Sequence, residues 1–521
     1  MTNIIRRLVN NQNVKANNEF PTIGNSEFLT ALIKASIETV TLNGDIAYTT
    51  TGDAVLDFFG SFGAMRNESD DNIILTFTKS FIQAPLTTLR LLYYFRSPRG
   101  GQGERRIFRV VQEHLAKKFP SAVFNNLDKV VKYGRWDDLF VHLDVNSESY
   151  NPEVATAIIN MIDNQLANDL MSKDDVSLLA KWMPSINASS SQTRNLANQI
   201  RNELGLSPKQ YRKMLSELRS RINIVEKLMS ENQFDKIEYD KVPSKAHFIY
   251  RNAFANHDAK RYSQYLYNVV EGKTKINSKS MYPYEIVKLC LNQESFSDTE
   301  RKVLDEMWKA LPNYCNAEDS LCVVDVSGSM TGRPMSVAIA LGMYMAERNT
   351  SVFNNRFITF SEKPSLVNIV DGDIVKKVKY MENADWGANT DLRKVFDLIL
   401  NVAIKNELSQ EQMVKKLYII SDMQFDSAAG FTRYGHSNQG AQKSTFHNAK
   451  EKFNKHGYEL PQVVFWNVND YGNKPVTTDD TGTMLISGFS PSILKFVMNN
   501  EEIDPMETIK EIVKQYSDIV L

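Results

Sequence analysis

Residues Ser320-Leu321-Cys322-Val323-Val324 run directly into Asp325-Val326-Ser327-Gly328-Ser329. A short apolar, valine-rich run of this length reads as a buried strand. The D-x-S-x-S segment that follows puts one carboxylate and two hydroxyls at its carboxyl end. Two further oxygen-bearing loops lie downstream, at Trp386-Gly387-Ala388-Asn389-Thr390-Asp391 and at Ile419-Ile420-Ser421-Asp422. Asp325, Ser327, Ser329, Thr390 and Asp422 together offer two carboxylates and three hydroxyls. These are hard oxygen donors, suited to Mg²⁺ and also to Mn²⁺ or Ca²⁺. Aspartate and serine also serve as N-cap residues of a helix expected from about 333 to 347, and the two roles are compatible.

Outward from this stretch, strand-like runs alternate with helical ones. Strands are expected over 321–326, 356–360, 417–420 and 462–468, and helices over 334–347, 392–405 and 442–455. Such alternation predicts an α/β, Rossmann-like doubly wound sheet with helices on both faces. In these sheets ligands bind beyond the carboxyl ends of the strands. The three oxygen-bearing loops fall there, so fold and site support one another.

Upstream the texture is different. Residues 1–25 are polar and Asn-rich and read as a flexible arm. From 26 to 316 helix follows helix, with breaks rich in Pro, Ser and Gly. Helical spacing of apolar residues places helices over 85–95, 105–119, 121–131, 152–170, 176–182, 193–203, 208–229, 245–257, 259–271, 283–291 and 299–310. Strand patterns are nearly absent. The expected organisation is thus multidomain: an all-α helical-repeat region (HEAT-like, a ring or solenoid) over 26–316, then an α/β domain over 317–521. No clean repeat is visible in the sequence itself.

Composition narrows the function. The chain has 521 residues, 42% apolar and 24% charged, with a formal net charge of −1. No global basic field draws it to nucleic acid or to an anionic membrane, so any such binding needs a local patch. Cys290, Cys315 and Cys322 lack C-x-x-C spacing and read as buried free thiols, which fits a reducing cytoplasm. Arg6 and Arg7 are not followed by an apolar run, so no signal peptide is expected, and no stretch approaches the length of a membrane helix.

The five oxygen-bearing side chains, in their order and on three loops, resemble the metal-ion-dependent adhesion site of von Willebrand factor A (vWA) domains. A helical half followed by a C-terminal vWA domain resembles the TROVE-domain, Ro-like family, in particular a branch found in bacteria, phages and plants. The residues that carry this second resemblance are Arg99-Gly100-Gly101-Gln102-Gly103-Glu104-Arg105-Arg106, Tyr133-Gly134-Arg135-Trp136-Asp137-Asp138-Leu139, Lys181-Trp182-Met183-Pro184-Ser185, Tyr211-Arg212 with Leu218-Arg219, and Met281-Tyr282-Pro283-Tyr284-Glu285-Ile286-Val287. Met484-Leu485-Ile486-Ser487-Gly488-Phe489-Ser490 resembles the last strand and turn of Ro-like vWA domains. The resemblance implies a ring of helices closed by the vWA domain. It also implies binding of single-stranded or misfolded RNA and of small non-coding RNA, without chemistry on the RNA, in a phage- or bacterium-encoded cytoplasmic protein.

Basic and aromatic side chains name the residues that would meet RNA. Glycines beside Arg99, Arg105 and Arg106 free backbone N–H groups that, with guanidinium forks, suit a phosphate. Arg135 and Trp136 suit a phosphate and a base. Lys209, Arg212, Lys213 and Arg219 form the densest basic cluster, and Lys245, Arg251 and Arg261 the next. Each also reads as an ordinary helix turn or solvated helix face. The seven histidines do not pair with Cys or Glu at metal spacing, and no nucleophile elbow appears, so an enzyme is not expected. The other reading is a metal-dependent protein-interaction module without RNA, in which a partner's acidic side chain completes the ion's shell. A metal-dependent nuclease would need extra carboxylates, for which Asp391 and Asp426 are the nearest candidates.

Overall fold

The computed structural model describes residues 36–172, 176–222, 225–274, 281–316, 318–360, 363–382, 391–426, 444–498 and 502–521. It opens with an antiparallel hairpin, β1 (Glu38–Val40) and β2 (Ile46–Tyr48). The first helices are α1 (Ala54–Ser61), α2 (Asp70–Gln83), α3 (Pro85–Arg96), α4 (Arg106–Lys118), α5 (Pro120–Phe124) and α6 (Leu127–Tyr133). A 3₁₀ segment, Trp136–Leu143, leads to α7 (Pro152–Met171), α8 (Leu179–Trp182), α9 (Ser191–Glu203), α10 (Pro208–Arg221) and α11 (Val225–Ser230). The helical half ends with α12 (Ser244–His257), α13 (Ala259–Val270), α14 (Pro283–Asn292) and α15 (Asp298–Lys309).

The starts of these helices are written in the sequence. Asn151 accepts hydrogen bonds from the N–H groups of Glu153 and Val154, with Pro152 at the first helical position. Ser207 and Gln210 form a reciprocal capping box around Pro208. Both are strong N-terminal signals. The reading of one helix over 208–229 differs from the structure: α10 ends at Arg221 and α11 begins at Val225, and residues 223–224 lie outside the described residues. The expected arm over 1–25 lies outside them too.

The C-terminal half contains β3 (Ser320–Val324), α16 (Arg333–Arg348), β4 (Arg356–Thr359), β5 (Leu366–Asn368), α17 (Ile374–Glu382), α18 (Leu392–Lys405), β6 (Lys416–Ser421), α19 (Thr445–Lys455), β7 (Gln462–Asn467), β8 (Thr483–Ser487), α20 (Leu494–Val497) and α21 (Pro505–Lys514). Its six strands form one mixed sheet in the order β5-β4-β3-β6-β7-β8. Only the edge pair β4/β5 is antiparallel. The chain is therefore helix-rich at its N-terminal end with an α/β unit at its C-terminal end. The order is that of a doubly wound sheet, and strand order reverses between β3 and β6.

The period-2 alternation of the strands sorts side chains to two faces. Leu321, Val323, Leu417, Ile419, Val463 and Phe465 pack with α18 and α19. Cys322, Val324, Tyr418, Ile420, Val464 and Trp466 join a second core that runs on through α16 into the helical half. In α16, nearly every residue from Ser336 to Ala346 is buried, because α14 lies on its other side. Gly342 lets it approach the sheet, since a Cβ there would sit 2.3 Å from Val324 Cγ2.

The helical half is attached to the α/β unit at both of its ends. Early on, α1 packs on β8 and α3 on α21. Late, α14 packs on α16 and α17, and α15 on α17. Between these attachments, helices pack in succession: α5 on α7, α7 on α8, α8 on α10, α12 on α13 and α13 on α15. Glu226 ties α11 to α8 through Lys181 and to α12 through Tyr250. The last residues return to the early helices. Arg90 donates to the carbonyls of Ser517 and Ile519, and Val520 N–H donates to Asn126.

Gly63 marks a tight joint between the halves. Its N–H donates to Ser487 Oγ, which in turn donates to the Phe59 carbonyl. A Cβ at Gly63 would lie 2.7 Å from the Ser487 carbonyl carbon and 2.8 Å from the Gly488 Cα. Both are backbone atoms, so the joint must open. Gly63→Ala is expected to destabilise the protein by about 1–3 kcal/mol, measured as a lowered urea midpoint.

The β1–β2 hairpin is the clearest departure from the sequence reading, which found strands nearly absent here. Its strands are three residues long, too short for alternation to show. Docking stabilises it: Tyr48 exchanges both backbone hydrogen bonds with Lys474. No helix among the described residues is long and apolar enough to cross a membrane.

Candidate metal centre

Asp325 follows β3 and Asp422 follows β6, so both stand at the point where strand order reverses. Both are fully buried. Asp325 Oδ1 accepts the N–H of Ser327 at 2.9 Å, and Oδ2 accepts the Ser421 hydroxyl at 2.6 Å. These bonds fix the carboxylate. Ser327 Oγ and Ser329 Oγ lie 3.1 Å apart. Asp422 Oδ1 accepts the N–H of Gln424 at 3.2 Å, while Oδ2 is buried with no hydrogen-bond partner among the described residues. Met423, next in the chain, holds a left-handed backbone (φ 64) though it is a buried, non-glycine residue. Such strain is retained where the surroundings over-determine a geometry, as at ligand sites.

Electrostatics describe the same centre. Burial, then the charge of Asp422, pushes the Asp325 carboxyl up to about 6. Burial also raises Asp422, offset in part by the Ser329 hydroxyl. Two buried carboxylates with no cationic side chain bonded to either among the described residues carry an uncompensated charge cost. A divalent cation would remove it, and the orphaned Asp422 Oδ2 is the atom it would satisfy. Asp325, Ser327, Ser329 and Asp422 thus fit a hard cation. Thr390, the fifth expected ligand, lies outside the described residues. No group of three or more His, Cys, Asp or Glu among the described residues is arranged to hold a metal. The centre is therefore hydroxyl-rich. Asp391, weighed above as an extra carboxylate, is ion-paired to Arg393 at 2.8 Å.

Two contributors were not singled out in the sequence. Ser421 orients Asp325, and its only signal was its place beside Asp422. The hairpin turn carried a local signal of its own, the turn dipeptide Asn43-Gly44, whose glycine holds φ 89. Thr41 Oγ1 donates to the Phe425 carbonyl at 2.6 Å, Leu42 N–H to Gln424 Oε1 at 2.8 Å and Asn43 Nδ2 to the Gln424 carbonyl at 2.8 Å. The N-terminal hairpin thus braces the loop that carries Asp422.

Asp45 closes that turn in a buried position. Burial first, then the nearby charges of Asp391 and Asp426, raises its carboxyl to about 7 against the lowering effect of Thr445 and the Ile46 N–H. Its folded value lies above its unfolded one, so its stabilising contribution is complete below about pH 4 and is lost as pH rises through 7. Asp45→Asn should therefore be more stable than the native chain at pH 8, by about 2–4 kcal/mol, with the difference vanishing near pH 4. Melting curves in chelator across this range measure it.

The residues proposed for RNA divide into two groups. Arg106 donates to the carbonyls of Arg66 and Glu68 and pairs with Asp70. Arg219 donates to the carbonyls of Ala180 and Met183, and Arg261 to those of Phe234 and Ile237. Lys245 pairs with Glu285, Arg251 donates to the Phe248 carbonyl, and Trp136 is buried. Arg135 grips Asp137 with two hydrogen bonds and stacks 3.9 Å above the Trp182 ring. These side chains hold the helices to one another. Arg99, Arg105, Lys209, Arg212 and Lys213 are exposed. Arg212 lines a cavity of about 600 Å³ with Lys181, Tyr211, Arg219, Lys227 and Glu231. The three cysteines are buried and free, and burial pushes the thiols of Cys290 and Cys315 up to about 12.

Comparison with known proteins gives the chain's family. A domain of unknown function, DUF2828, matches residues 41–161 and 202–321, and a second, DUF7788, matches residues 319–519. No solved structure matches. An uncharacterized protein of Acanthamoeba polyphaga mimivirus, L728, is 35% identical over 510 residues, which cover 91% of this chain and 87% of that protein. At that identity and coverage, the chain belongs to the same family as mimivirus L728.

Proposed function

We propose that the α/β unit is a vWA-like module that binds a divalent cation through Asp325, Ser327, Ser329, Asp422 and Thr390, and that the ion recognises an acidic group on a partner protein. The observation that carries this reading is the pair of buried carboxylates at the strand-order reversal, one with an oxygen that has no partner. Mg²⁺ suits the site because hydroxyls and few carboxylates leave a small, partly neutral oxygen set. Bound there, the ion would supply a Lewis-acidic point for an anionic ligand. The chain's own residues orient the ligands: Ser421 holds Asp325, and the 41–45 turn holds the Asp422 loop. Calorimetric titration with Mg²⁺ and Mn²⁺ tests the reading, and a folded protein that binds neither removes it.

A second reading, RNA binding in a Ro-like helical ring, is favoured by one specific feature. Lys209, Arg212 and Lys213 are exposed on α10, at the middle of a helical path whose two ends both attach to the α/β unit. Single-stranded RNA is then expected to bind with a steep salt dependence, each neutralised phosphate adding roughly −0.7 to the slope. Replacing all three with alanine should flatten that slope by about two units. A folded protein with no RNA binding at low salt would leave the metal-dependent module as the sole reading.

A further inference from the structure

Four arginines converge where α3, α4 and the 3₁₀ segment 136–143 meet. Arg96 donates to Asp138 Oδ2 at 2.7 Å. Arg109 donates through Nε to Asp138 Oδ1 at 2.8 Å. Arg135 takes Asp137, as described above. Asp137 and Asp138 are the only carboxylates bonded to these arginines among the described residues. The fourth, Arg105, stands one helical turn before Arg109 and so shares its face of α4. It is exposed; its carbonyl accepts the N–H of Arg109, and its guanidinium makes no hydrogen bond or ion pair with a described residue.

The cluster thus holds four guanidinium groups against two carboxylates. Arg105 stands beside this cluster: partial desolvation first, then the charges of Arg135 and Arg109, hold its guanidinium below its ordinary value against the pull of Asp137 and Asp138. Arg109 Nη2 pairs with Asp137 Oδ2 at 2.8 Å, so Asp137 is shared between Arg109 and Arg135. Like charges so gathered destabilise one another unless an anion joins them. The planar forks of arginine match the oxygens of a phosphate. The Arg135–Trp182 stack lies beside them.

We propose that Arg105, Arg109 and Arg135 form a phosphate-binding site on the helical half, separate from the metal centre. The phosphate arrives either on a free nucleotide or on a nucleic-acid strand, and the test distinguishes the two. Arg105 is the residue to change, because it is exposed and supports no other part of the fold.

The intact chain is titrated calorimetrically at low salt with inorganic phosphate, adenosine 5′-monophosphate and a 5′-phosphorylated pentauridylate. At least one probe should bind, and Arg105→Gln should weaken it by roughly tenfold or more. Lys213→Ala and Asp325→Ala should leave that affinity unchanged, the second because the site does not rest on the metal. Loss confined to the oligonucleotide assigns the phosphate to a strand. Loss for phosphate or mononucleotide assigns it to a free ligand. Either supports the site. Failure of all three probes to bind the folded chain overturns it, as does unchanged affinity in Arg105→Gln with its circular dichroism intact.

Discussion

Asp325→Ala is expected to abolish Mg²⁺ and Mn²⁺ binding, lowering affinity by more than about 100-fold, while the protein stays folded. Asp325 is fully buried at the end of β3, and both its oxygens are already oriented by Ser327 and Ser421. Its removal deletes a carboxylate that no neighbour replaces. It also relieves the repulsion with Asp422, so the metal-free variant should be no less stable than the native chain near neutral pH. Ser421→Ala keeps the ligand but loses its orientation, and a weakening of about 10- to 100-fold is expected.

The pH dependence has a definite sign. The Asp325 carboxyl is raised to about 6, so the metal-free fold binds a proton there that the unfolded chain releases at lower pH. Stability from this group is present below about pH 4 and lost as pH rises through 6. A cation needs the ionised form. The thermal stabilisation given by Mg²⁺ should therefore grow between pH 5 and pH 7.5 in the native protein and be absent throughout in Asp325→Ala. Undiminished affinity in that variant would remove the metal reading.

Deleting residues 317–521 is expected to leave a helical fragment that aggregates. Ile286, Val287 and Cys290 of α14 are buried, and that helix packs on α16 and α17. Phe58 and Phe59 are buried in α1, which packs on β8. Tyr284 meets Phe489, and Tyr94 and Tyr133 meet Tyr516. Each such side chain returned to water loses about 1.5–3 kcal/mol. Half a dozen of them match or exceed the 5–15 kcal/mol of a typical fold. Size-exclusion chromatography with a hydrophobic dye measures the outcome. A monodisperse 1–316 fragment with a cooperative melt would show that the helical half carries its own core.

The helices and the parallel strands were legible because their signals are local. Proline and serine caps start α7 and α10, and continuous apolar runs mark β3, β6 and β7. The residues Asp325, Ser327, Ser329 and Asp422 were legible for the same reason: oxygen-bearing side chains directly after buried strands. The sequence by itself thus determined a helical half and an α/β half, and it singled out four described residues of the candidate site.

Only the tertiary structure decided the rest. The hairpin at 38–48 exists because the loop after β6 and the segment at 474 accept its hydrogen bonds across more than 380 residues of chain. The raised carboxyl of Asp45 follows from that docking and not from its neighbours in sequence. Which arginines are bound and which are free was equally non-local. Arg106, Arg219 and Arg261 meet carbonyls from other segments, while Arg105 stays exposed beside Arg109, Arg135, Asp137 and Asp138. Composition counts charges, but the partners that neutralise them are set by packing.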